Sequence, residues 1–181
     1  MQRARLTSPT AELIVEVIDG ALVFTHWGAP SGPASQDLFR AQIPSATNSG
    51  FDSVQNPGVM REASRGFLGR SALSGHRNGA AWSSHFSVTT FEVNDNQISI
   101  VLKDAYAELT LNYLCSMDTH GVLTLQADLQ NTGQSQYTVN EFIYWLPLPQ
   151  EAKQSLDFAG RWSNERQPQR RDIATGTWVR D

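Results

Sequence analysis

Val122-Leu123-Thr124-Leu125-Gln126-Ala127-Asp128-Leu129 puts four apolar residues, 123, 125, 127 and 129, on one side of an extended chain and Thr124, Gln126 and Asp128 on the other. Side chains of a strand alternate between faces, so this period of two predicts a strand with one wet side. Working outward, Ala105-Tyr106-Ala107-Glu108-Leu109-Thr110-Leu111-Asn112-Tyr113 alternates in the same way, and β-branched or aromatic residues dominate 86–93 and 97–102. Asp19-Gly20, Asn94-Asp95-Asn96, Asp118-Thr119-His120-Gly121 and Asn131-Thr132-Gly133 separate the runs with residues that tolerate positive φ. The pattern predicts an all-β fold of hairpin-connected antiparallel strands, with an early hairpin over 12–27. At most one or two short helices are expected. The best candidate is 151–159, which follows the breaker Pro147-Leu148-Pro149. A Gly/Pro/Ser-rich region, 28–56, carries one strand-like piece, 39–43. It reads either as a loop that contacts partners or ligands, or as an ordered loop covering an edge of the sheet.

With 181 residues and 40% hydrophobic content the chain can bury one core, and it is read as a single domain spanning 1–181. A net charge of −4 gives no basic field, which argues against nucleic acid as a partner. The longest apolar run near the start, Leu13 to Val15, is too short for a signal-peptide core, and no stretch reaches the length of a membrane span. A cytoplasmic location without membrane association is the simplest expectation. The single cysteine, Cys115, lies in the apolar run Tyr113-Leu114-Cys115 and is expected to be a buried thiol.

Chemistry-bearing patterns are sparse. His26, His76, His85 and His120 are scattered, with no H-x-x-x-H or C-x-x-C, so no metal site is expected. No Gly-rich loop precedes a Lys-Ser/Thr pair and no G-x-S-x-G elbow occurs, so no cofactor is implied. Glycosidic cleavage needs two carboxyls facing one bond, and Glu108 and Asp128 read instead as solvated positions on strand faces. No catalytic residue is assigned. Two segments are dense in arginine with glycine or aromatic residues, 60–79 and 156–171, and read as something other than simple strands. Arginine outnumbers lysine twelve to two, and the guanidinium fork suits fixed pairing with carboxylates. Docking to another domain or a sugar-bearing site, and internal salt bridges holding loops in place, both fit that composition.

Trp145-Leu146-Pro147-Leu148-Pro149, then Leu156-Asp157-Phe158-Ala159-Gly160-Arg161-Trp162 and Glu165-Arg166-Gln167-Pro168-Gln169-Arg170, resemble the N-terminal region of family 36 α-galactosidases. Leu22-Val23-Phe24-Thr25-His26-Trp27-Gly28, Gly66-Phe67-Leu68-Gly69-Arg70 and Gly75-His76-Arg77 extend the likeness over most of the chain. The resemblance implies an antiparallel β-sandwich of the supersandwich, galactose mutarotase-like kind, preceding a catalytic (β/α)8 barrel on the same parent polypeptide. It further implies a retaining glycosidase whose nucleophile and acid/base, both Asp, lie on that barrel, so this chain alone is expected to be inactive. In tetrameric members the N-terminal domain reaches toward a neighbour's active site. The resemblance therefore points to a homo-oligomer and, by motif position, to Arg70, with Phe67 and Arg61, as substrate-proximal residues. Arg161, Trp162, Glu165, Arg166 and Arg170 are the candidates for interdomain docking, with Arg161 and Trp162 read as a paired cation and aromatic anchor. The family's sandwich continues past this point, so exposed strand edges are expected of the chain, with self-association or partial disorder near the C-terminus. A freestanding module that binds α-galactosides is a competing reading. A mutarotase- or epimerase-type enzyme would need His76, His85 and Glu62 to converge, which their spacing does not suggest.

Overall fold

The computed structural model describes residues 2–32, 58–148 and 152–173. The chain divides into two compact units, Met1–Pro147 and Leu148–Asp181.

In the first unit the sheets are antiparallel throughout. Strands β1 (Arg3–Thr7), β2 (Glu12–Ile18) and β3 (Ala21–Gly28) form a three-stranded sheet in that order. The β2–β3 hairpin closes on Asp19 and Gly20 at φ 50° and 78°, the paired positive φ values of a two-residue turn whose twist matches its strands. After β4 (Leu73–His76), strands β5 (Ser87–Asn94), β6 (Gln97–Asp104), β7 (Leu109–Met117) and β8 (Leu123–Asn131) make a four-stranded meander. β9 (Thr138–Phe142) returns to pair with β4. β1 packs against β6 and β7, and β3 meets β5, so the two larger sheets form a sandwich.

The core follows from the alternation. Leu6, Leu13 and Leu22 from one sheet meet Ile98, Ile100, Leu102, Leu109, Leu111 and Cys115 from the other, all at 2% exposure or less. Each large aliphatic side chain so buried contributes about 2 kcal/mol. The face of β8 quoted above turns the same way, but Leu123, Leu125, Ala127 and Leu129 are only half-buried, as suits an edge strand.

Four expectations need correction. β1 went unread because Arg3 and Arg5 interrupt its short apolar pattern. Both cations are held by carboxylates of β2, Arg3 Nε to Glu16 at 3.0 Å and Arg5 to Glu12 at 2.6 Å. The alternation over 105–113 begins too early, because residues 105–108 are a turn. The Asp104 carboxylate accepts hydrogen bonds from the Tyr106 and Ala107 N–H groups and closes that turn, and Glu108 sits in it at φ 53° rather than on a strand. The β5–β6 turn at Asp95 and Asn96 uses no positive φ. Finally, the helix candidate fails: among its described residues 152–153 are irregular and Gln154 begins a strand.

In the second unit β10 (Gln154–Arg161) pairs with β11 (Asn164–Asp172) as one antiparallel hairpin, so the segment 156–171 is strand after all. Alternation of Leu156 and Phe158 with Asp157, together with the register Leu156↔Arg170 and Phe158↔Pro168, outweighs the weak helical propensity. The strand-like piece 39–43 lies outside the described residues. No helix among the described residues is long and apolar enough to cross a membrane.

Candidate functional site

The arginine-rich loop ahead of β4 is built around one buried carboxylate. Glu62, 1% exposed, accepts the Phe86 N–H at 2.6 Å on Oε1 and the Arg65 Nε–H at 2.8 Å on Oε2. Arg65 carries the clamp onward to the carbonyls of Asp19 and Phe86. A single 3-10 turn, Ala63–Arg65, ends at Gly66 with φ 86°, which a side chain would strain. The chain then folds back. Ala72 N–H donates to the Met60 carbonyl, and Ile143 N–H to that of Ala72.

Within this loop Arg61 and Phe67 come together with Trp145. The Arg61 guanidinium lies 5.5 Å from the Phe67 ring centre and 5.3 Å from that of Trp145, and the two rings meet edge to face at 6.2 Å and 72°. Gly69 makes room for this, since a Cβ there would lie 2.7 Å from Phe67 Cζ. Arg61 itself holds φ 48°, a left-handed conformation uncommon for a non-glycine residue. Burial draws its pKa below the ordinary arginine value. Its Nε–H and the Trp145 indole N–H are both shielded from solvent and have no acceptor among the described residues.

Arg70 grips Glu141 of β9 through both carboxylate oxygens, with Nε 2.7 Å from Oε2 and Nη2 on Oε1. The pair is roughly half to one-third exposed. Arg77 is more enclosed. It donates to the carbonyls of Ala107 and Ser135 and to Asn131 Oδ1, lies 3.7 Å from Glu108, and sits over Tyr137. Sequence reading passed over Trp145 and Glu141 as site residues. Trp145 stood in a quoted motif, whereas nothing in the local pattern marks Glu141.

On the hairpin of the second unit, Arg161, Trp162, Glu165, Arg166 and Arg170 are exposed, with Trp162 at 90% in the turn between β10 and β11. Ser163 at φ 64° and Arg166 at φ 56° shape that turn and the irregularity beside it. The trio His76, His85 and Glu62 is dispersed in its bonding: His76 Nδ1 accepts the Gly79 N–H, His85 Nδ1 meets Ser64 Oγ at 3.0 Å, and Glu62 is occupied as above. Among the described residues no three His, Cys, Asp or Glu side chains group as a metal ion would require.

The chain is 28% identical over 166 residues to an α-galactosidase of Escherichia coli, covering 92% of this chain and 23% of that protein. Its fold matches the α-galactosidase from Lactobacillus brevis with a TM-score of 0.79 at 14% identity, over 96% of this chain and 28% of that one. It matches the GH36 α-galactosidase AgaA from Geobacillus stearothermophilus with a TM-score of 0.72 at 17% identity, over 97% and 28%. The chain thus spans about a quarter of the length of these relatives. The model of the glycosyl hydrolase family 36 N-terminal domain matches residues 20–181, and the chain belongs to that family.

Proposed function

We propose that residues 1–181 form one noncatalytic N-terminal domain of an α-galactosidase that releases terminal α-galactose from oligosaccharides. The domain serves packing against the catalytic barrel of the parent polypeptide and assembly of a homo-oligomer. The observation that carries this reading is the family match over 20–181 in a chain a quarter as long as its α-galactosidase relatives. A cytoplasmic location accords with a lone cysteine that is buried and unpaired in any disulfide.

Shaping of a neighbouring active site is assigned to Arg70, Phe67 and Arg61. Support comes from a loop tied to β5 by the Glu62 hydrogen bonds, which presents the Arg70–Glu141 pair at the surface and gathers Phe67 with Arg61 and Trp145. The exposed residues Arg161, Trp162, Glu165, Arg166 and Arg170 supply contacts to other domains. The test is Arg70→Ala in the full-length parent enzyme. A raised KM for a small α-galactoside or a changed oligomeric state is expected. Unchanged KM together with unchanged assembly would remove the active-site assignment and leave only the packing role.

A further inference from the structure

Six arginines of the first unit are described, and five of them face a carboxylate: Arg3 with Glu16, Arg5 with Glu12, Arg65 with Glu62, Arg70 with Glu141 and Arg77 with Glu108. Arg61 has no such partner among the described residues. It is nevertheless the one whose guanidinium is flanked by two aromatic rings, on a backbone held at positive φ, with a buried Nε–H that no acceptor meets. Beside it the Trp145 indole N–H is equally unsatisfied. A partly desolvated cation and two idle donors are costly, and the two ring contacts offset the charge only in part. Ring stacking fixes the guanidinium plane, which prepares it for bidentate pairing.

We infer that Arg61, framed by Phe67 and Trp145, is a receptor for an acidic side chain presented by another protein segment. A sugar hydroxyl could accept from the guanidinium but would leave its charge uncompensated, whereas an aspartate or glutamate compensates it; because Nε and the indole N–H are shielded from solvent, the carboxylate meets the Nη groups. This inference stands on Arg61 and Trp145 and does not require that Arg70 reach a neighbouring active site.

The chain itself serves for the test. The probe is acetyl-Gly-Asp-Gly-amide, compared with its Asn counterpart, acetate and galactose at constant ionic strength. The readout is the Trp145 indole N–H cross-peak in a proton–nitrogen spectrum, assigned by Trp145→Phe, with the other tryptophan indoles reporting on the fold. A saturable shift is expected with the Asp peptide and none with the Asn peptide. Arg61→Gln should reduce it several-fold, and Arg61→Lys, which keeps the charge, should retain part of it. No shift with the Asp peptide, a shift equal in Arg61→Gln, or a response to galactose or acetate in its place would overturn the inference.

Discussion

Glu62 joins three separated parts of the first unit with one side chain. Its oxygens take the Phe86 N–H at the start of β5 and the Arg65 guanidinium, which in turn reaches the β2–β3 turn at Asp19. Removing one partner of a buried pair leaves an uncompensated charge and typically costs about 3–5 kcal/mol. Glu62→Ala should therefore lower the urea-unfolding stability by that order, while the exposed Glu92→Ala should change it by no more than about 0.5 kcal/mol. Glu12 gives a pH signature. Burial pushes its carboxyl up, but the hydrogen bonds from Arg5 and from the N–H and hydroxyl of Ser31 outweigh this and hold the pKa below the ordinary glutamate value. A carboxyl depressed in the folded state stabilises the fold fully above its unfolded pKa, and that stability is lost as pH falls through the folded value. Chemical denaturation between neutral and acid pH should show this acid loss, and Glu12→Gln should flatten it.

At the scale of elements, the meander was legible because alternate residues of β6, β7 and β8 are the less exposed ones, the buried Thr110 apart. What escaped was decided by side chains acting over distance. Asp104 captures the Tyr106 and Ala107 N–H groups and turns an alternating stretch into a corner, and β1 depends on carboxylates of β2 to accept its arginines. Loop composition and motif position singled out Arg61, Phe67 and Arg70; the fold brings Arg61 and Phe67 together, while Arg70 turns to Glu141. Glu141 sits opposite Ser74 only once β4 and β9 have paired, a register that no local pattern specifies. Two measurements probe the sandwich. Leu111→Ala, at a fully buried position of β7, should cost about 2–5 kcal/mol in the same denaturation assay. Cys115, four residues on, is buried and its thiol pKa is pushed up to about 12. It should resist a thiol-specific reagent in the native chain at mildly alkaline pH and react fully once the chain is unfolded.

For the molecule as a whole, the two candidate surfaces have different physical characters. The loop from 58 to 72 is fixed by internal hydrogen bonds and ion pairs, and most of the arginine surplus there is spent within the chain. The β10–β11 hairpin exposes Leu156, Phe158 and Trp162 beside its arginines, and an isolated two-stranded hairpin is marginal in water. An exposed apolar surface of this kind supports the proposed contact with further protein, and the chain spans about a quarter of its α-galactosidase relatives. We propose that the chain supports an enzyme without containing its chemistry. The most direct measurement is hydrolysis of 4-nitrophenyl α-galactoside by purified chain 1–181. No release of 4-nitrophenol is expected, whereas turnover abolished by substituting a single carboxylate of this chain would contradict the claim.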